Sequence, residues 1–308
     1  MEGLSDTALW LAIIACGVAT LGYWAQMVGV RLVFRRLSTE AGAGPTVAAI
    51  VSDEDRPGWT EHAGNLGRFA GWATLLLLSL SMIARWQAVD RAPWSNMYEF
   101  TIAFAAGIIA FYIVFELVYA GESASRSSRM VGAVMYPVAL AMLAVSWAFF
   151  PSDVRPLVPA LQNGDLLAIH VAAMVIAYGA LSVSFGAAVL YLVQGGERNR
   201  FPRLPSAEAL DDVAYKSVML GFPLLAAGIA LGAYWANSAW GRYWGWDPKE
   251  TAALATWLIY GVYLHMRGLR GWSGTRSAVT LVVGFGAVIF TYFVVNLWVS
   301  GLHSYAGV

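Results

Sequence analysis

The feature that most constrains this chain is a series of about eight apolar runs, at roughly 8–30, 68–86, 98–119, 131–150, 166–193, 214–236, 250–266 and 278–300. A helix needs about 20 such residues to cross about 30 Å of hydrocarbon. Lipid offers no partner to a free N–H or C=O, so segments of this kind span as helices. The expected fold is therefore all-α, a polytopic integral membrane protein of about eight transmembrane helices. Composition agrees. The chain is 59% hydrophobic and 12% charged, where a soluble domain carries about 25% charged residues. The first run is too long for a signal peptide, and its basic residues follow it rather than precede it. It reads as a retained helix.

The loop charges orient the spans. Fourteen of the 19 Lys and Arg residues fall to one side, among them Arg31, Arg56, Arg126, Arg198, Arg203 and Arg267. The other side holds Arg85, Arg91, Arg155, Arg242 and Lys249. By the positive-inside bias, both termini and the loops at 87–97, 151–165 and 237–249 face outward. The inner loop at 34–66 is rich in Ala, Gly, Asp and Glu, a composition that predicts mobility. Two regions are expected: membrane helices with a cytoplasmic loop over 1–90, and a motif-dense membrane domain over 91–308. The 19 acidic residues balance the 19 basic ones, which argues against a nucleic-acid partner. The single cysteine, Cys16, excludes an internal disulfide, a redox pair and a cysteine-rich metal site.

Between the sixth and seventh runs, Trp235, Trp240, Tyr243, Trp244 and Trp246 crowd into twelve positions, with Gly241 and Gly245 between the rings. An interfacial aromatic belt uses indoles but needs neither that density nor the glycines, which permit close backbone approach. The stretch 235–251 suits a platform for a large flat apolar ligand. Asp247-Pro248-Lys249-Glu250 has the pattern of a helix start, with a cap, Pro at the first helical position and a capping-box Glu. This leaves a ligand role for Asp247 as the lesser reading. Arg242 and Lys249 either hold carboxylates of a ligand or face water. Asn96 and Glu99 form a second cap pattern ahead of the third run.

Histidine is the usual nitrogen ligand of haem iron. His170 lies near the outer end of the fifth run and His303 just beyond the eighth. Both therefore share the membrane face of the tryptophan loop, as a bis-histidine haem site would require. An ordinary interfacial His is the alternative at each. His265 stands 18 residues past Asp247, about 27 Å along a helix rising 1.5 Å per residue. It cannot serve the same haem. Either it belongs to a second, deeper site, or it snorkels to headgroups beside Arg267. His62 falls in the inner loop and reads as solvated. No G-x-S-x-G nucleophile elbow and no H-E-x-x-H zinc pattern occurs.

Taken together, these stretches resemble a known family. Trp240-Gly-Arg-Tyr-Trp-Gly-Trp-Asp-Pro-Lys-Glu-Thr251 is similar to the "WWD" signature of haem-handling membrane proteins. Ser95-Asn-Met-Tyr-Glu99, Pro159-Ala-Leu-Gln162, Gly221-Phe-Pro-Leu224, Trp257-Leu-Ile-Tyr260 and Gly301-Leu-His-Ser-Tyr305 resemble the system II cytochrome c synthase subunit of CcsA/ResC type, named CcsB in some bacteria. The resemblance is dense over about 90–305 and thin before residue 85. Ala252 departs from it, since many members carry Trp there.

The resemblance implies that His170 and His303 are axial ligands of an external haem b, flanking a shelf that includes Trp240, Arg242, Tyr243, Trp244, Trp246 and Asp247. His265 would be an in-membrane ligand whose opposite ligand comes from a ResB-type membrane subunit. Haem would pass from the inner to the outer site in the bacterial cytoplasmic membrane. There two thioethers to the CxxCH motif of apocytochrome c would form. A separate thiol reductant is implied, because Cys16 has no pairing cysteine. Whether the chain alone is a holocytochrome c synthase of haem lyase type stays open. Two other functions compete: a small-molecule permease with an aromatic gate, and a b-type electron carrier.

Overall fold

The computed structural model describes residues 1–40, 58–118, 124–153, 159–162, 164–201 and 204–303. Arg56, Arg155, Arg203, most of the expected inner loop, and Tyr305 lie outside the described residues. The described chain is helical, as expected. The helices are α1 (Glu2–Glu40), α2 (Gly58–Val89), α3 (Met97–Val118), α4 (Ala124–Phe149), α5 (Gly164–Val193), α6 (Ala207–Trp240), α7 (Pro248–Arg270), α8 (Thr275–Ile289) and α9 (Val295–Trp298). A π-helical turn, Phe290–Val294, joins the last two into a single span.

Among the described residues, seven segments are long and apolar enough to cross a membrane. The eighth expected span, α7, has the length but less of the hydropathy, because Lys249, Glu250, His265 and Arg267 sit on it. It packs between α6 and α8. The outside of the bundle is apolar: Leu21, Phe69, Leu76 and Phe149 are each more than 60% exposed. Such a surface is tolerable only in lipid. The protein is a multi-pass membrane protein.

Helices α1–α4 pack mainly on one another, and α5–α9 form a second group. The two groups meet where α3 and α4 lie against α5. In the first group α1 and α2 run close enough that a Cβ on Gly22 would come within 2.8 Å of Gly67. Small residues serve membrane helices in this way, because close backbones recover dispersion that lipid contact would otherwise supply. At one end Glu116 of α3 accepts hydrogen bonds from Arg68 of α2 and Tyr23 of α1. At the other, Asn96 caps α3 by accepting from the Glu99 N–H at 2.8 Å, as its sequence pattern predicts. Glu99 is buried, and its carboxylate takes hydrogen bonds from Arg85 at 3.1 Å and from Ser95 at 2.9 Å.

Helix α2 begins at Gly58, ten residues before the expected span. His62 therefore lies on its exposed first turns, not in a loop. Among the residues of α6 and α7, Arg267 donates to Asp211 at 2.6 and 2.9 Å, tying the two helices together away from the tryptophan loop.

Candidate functional site

Residue 170 is positioned by a close approach of helices. Its Nδ1 lies 2.7 Å from the Gly228 carbonyl of α6, one turn before Gly232. A Cβ on Gly232 would come within 2.6 Å of the His170 ring, so only glycine lets α5 seat the imidazole here. An N–H donated to a carbonyl makes Nδ1 the protonated nitrogen and leaves the lone pair on Nε2. Trp235, one turn further along α6, lies parallel to the His170 ring at 6.5 Å, with 1° between their planes. It is 1% exposed.

His303 is positioned by the start of α7. Asp247 is the N-cap, with Pro248 following and a complete capping box to Glu250, as the sequence predicts. Its carboxylate also reaches across to the chain beyond α9. Oδ1 accepts from the Leu302 N–H at 2.6 Å, and Oδ2 lies 2.7 Å from His303 Nδ1. Gly301 matters here because a Cβ would meet Asp247 Oδ1 at 2.6 Å. The cap and the ligand-orienting role are thus one carboxylate. Burial pushes Asp247 up, but the His303 hydrogen bond, its charge and two backbone N–H groups hold it below the ordinary 3.8. Burial holds His303 below 6.5, opposed by Asp247. At neutral pH a neutral imidazole therefore donates to an ionised carboxylate, and again the lone pair is on Nε2.

Both imidazoles line one cleft. Trp235 stands 5.9 Å from His303 as well as 6.5 Å from His170, so the imidazole centres lie within about 12 Å of each other. The cleft encloses about 90 Å³ and is walled by Phe100, Phe104, Leu167, Met174, Tyr178 and Tyr292. The π-helical turn contributes Thr291 and Tyr292 to this wall. Such turns are frequent at functional sites because they re-aim side chains within a helix. A second lobe of about 70 Å³ runs from His170 towards Trp244.

The aromatic loop divides its rings. Trp240 turns inward, 4.7 Å edge-on to His303 and 4.8 Å from Trp235. Trp244 lines the second lobe and meets Trp246 edge-on at 5.7 Å. Trp246 and Tyr243 point out, 69% and 55% exposed. Trp246 has φ 55°, in the left-handed region that a bulky residue avoids. The loop is held in this shape by Glu250, which accepts from the Gly245 and Asp247 N–H groups at 2.9 and 3.1 Å. Arg242 is exposed. Lys249 goes the other way, into the cleft, where Nζ donates to Asn296 at 2.8 Å.

His265 is not part of this cluster. It lies on the same unbroken helix α7, far from the loop, and its side chain is exposed on a face shared with Leu258, Val262 and Leu269. Two residues at the site are not singled out by the sequence: Asn296, which lines the cleft, and Gly228, whose carbonyl pairs with His170. The Gly228–Gly232 spacing on α6 is the one local hint, since it marks a face where another helix comes close.

Comparison with known proteins gives a consistent answer. A family model described as "Cytochrome C assembly protein" matches residues 94–303. The chain is 40% identical over 235 residues to the cytochrome c biogenesis protein CcsA of Chlamydomonas reinhardtii, covering 75% of this chain and 65% of that protein. It is 37% identical over 287 residues to CcsA of Synechococcus elongatus, covering 77% of this chain and 86% of the relative. Among solved structures, one titled cytochrome c haem lyase CcmF superimposes with a TM-score of 0.60 at 18% identity, over 95% of this chain and 46% of that one. This last likeness concerns the fold alone. With the family model matched over 94–303 and relatives 37–40% identical over three quarters of the chain, the chain belongs to the cytochrome c assembly proteins, as a multi-pass cytochrome c biogenesis protein of the CcsA type.

Proposed function

We propose that the chain receives haem b from the inner side of the bacterial cytoplasmic membrane and presents it at the outer face for attachment to the CxxCH motif of apocytochrome c. The observation that carries this reading is the pair His170 and His303. They come from opposite ends of the C-terminal helix group, line one cleft, and each commits Nδ1 to an acceptor so that Nε2 holds the lone pair. Neutral imidazoles so oriented are the donors that bis-histidine ligation of iron requires.

Loading a macrocycle requires the cleft to widen, because about 90 Å³ is smaller than a porphyrin. Trp235 and Trp240 supply rings beside His303 within it, while Tyr243, Trp244 and Trp246 form the shelf towards its mouth. The substrate's vinyl groups are where the chemistry occurs: each thiol S–H adds across a C=C, forming one S–C and one C–H bond. No residue of the cleft is placed as a strong general acid or base for that addition, so positioning carries the catalysis. Cys16 is buried in α1 with Sγ against the Tyr136 carbonyl. The substrate's thiols therefore need a separate thiol reductant.

His265 is assigned to a second, deeper site. Its exposure on the outward face of α7 suits a ligand shared with another membrane subunit, of ResB type, supplying the opposite ligand. The charge bias of the loops supports an outward tryptophan loop.

The test is the visible spectrum of the full chain purified with its ResB-type partner from a haem-replete host. His170→Ala and His303→Ala should each remove the outer haem signal and cytochrome c maturation, and His265→Ala the deeper signal. A colourless complex would favour a permease with an aromatic gate. An unchanged spectrum and unchanged maturation in the His170 and His303 variants would end the outer-site assignment.

A further inference from the structure

The pairing of the two histidines leaves Lys249 without a use. Its side chain enters the cleft lined by His170, Trp235, Asn296 and His303. There the ammonium donates to the neutral amide oxygen of Asn296 at 2.8 Å and sits 5.8 Å from the centre of the Phe100 ring. Lysine is seldom enclosed unless a carboxylate accompanies it. The nearby carboxylates are already engaged. Asp247 Oδ1 serves Leu302, and Oδ2 serves His303 and the Lys249 backbone N–H. Glu250 serves Gly245 and the Asp247 backbone.

A second observation points the same way. The indole N–H of Trp235, in the wall of the same cleft, is buried with no acceptor among the described residues. So is that of Trp94, which packs on the same small apolar cluster. Buried donors are nearly always satisfied in native proteins. An enclosed ammonium and an unsatisfied N–H in one cleft make a lining rich in donors, complementary to an anion with two acceptor oxygens.

We propose that Lys249, with Trp235 beside it, forms a carboxylate-holding subsite inside the cleft. It seats the propionate edge of the porphyrin inward and turns the vinyl-bearing half towards Trp246 and Tyr243 at the exposed rim. The arrangement gives the two outer-face cations different work. Arg242 is exposed over Gly245, at the rim and outside this carboxylate subsite. Lys249 fixes which edge of the macrocycle meets the incoming thiols. This proposal rests on the bis-histidine reading of the cleft.

The experiment compares iron protoporphyrin IX with its dimethyl ester, in which both carboxylates are blocked. The full chain with its partner subunit, produced under haem limitation, is titrated with each and followed by its bis-histidine visible spectrum. Wild type should prefer the free acid by about ten-fold or more, the scale of a charge-assisted hydrogen bond. Lys249→Met should bind both forms about equally while keeping the bis-histidine spectrum. Lys249→Arg, which retains the charge, should keep most of the preference. Trp235→Phe, which removes only the N–H, should lower it several-fold. The preference should survive Arg242→Gln. A Lys249→Met protein with the wild-type preference, or an Arg242→Gln protein that loses it, overturns the proposal while leaving the histidine pair intact. Loss of the spectrum's dependence on His170 and His303 overturns both.

Discussion

Residue 232 is where the smallest change should have the largest local effect. A methyl group there would come within 2.6 Å of the His170 ring. Gly232→Ala should therefore displace the imidazole and cost about 1–3 kcal/mol of stability. It should lower outer haem occupancy while leaving the His265-dependent signal, measured in the same spectrum. Asp247 is the second such position. Asp247→Asn keeps most of the cap but exchanges the carboxylate that fixes the His303 tautomer. By analogy with metal-site histidines, haem affinity should fall about 10–100-fold, read by haem titration. His303 also sets a pH dependence. Its folded value lies below 6.5. As pH falls through 6.5, the unfolded chain takes up a proton that the folded chain refuses, so stability declines until the folded value is passed. Asp247, held below 3.8, keeps its contribution throughout that window. Melting temperatures between pH 7 and pH 5 should fall for wild type and fall less for His303→Gln.

At the scale of elements, the helix starts carry more than local order. The α7 cap places Asp247 where it can reach His303, and the α3 start buries Glu99 between Arg85 and Arg91. These two starts should respond differently from ordinary caps. Glu99→Gln leaves Arg85 buried against a neutral partner and should cost about 3–5 kcal/mol. Asn96→Ala removes only a cap and should cost about 1 kcal/mol. Thermal unfolding of the two variants in the same detergent measures the difference, and equal losses would show that Glu99 acts only as a capping residue. The π-helical turn is the element that periodicity hides. The last apolar run reads as one continuous helix, yet the extra residue per turn at Phe290–Val294 helps bring Thr291, Tyr292 and Asn296 to the cleft.

For the whole molecule, orientation is the property to test. Cys16 is buried and supplies little background for labelling. Tyr243→Cys should react with a membrane-impermeant maleimide in intact cells, and Arg198→Cys only after lysis. The reverse pattern would invert the assignment of faces. Spans, caps and the shared membrane end of His170 and His303 were legible in the sequence because each depends on local pattern: hydropathy over about 20 residues, cap spacing over four, and helix rise. The separation of His265 from the tryptophan loop followed from the same arithmetic. Tertiary structure alone decided what fills the cleft. Helix packing brought the Gly228 carbonyl to His170 and Trp235 close to both imidazoles. It also sent Lys249 inward while Arg242 stayed at the surface, although they stand seven residues apart and carry the same charge. No sequence period encodes that difference, because burial is a property of the neighbours that α3, α5, α6 and α9 bring, not of the segment that carries the residue.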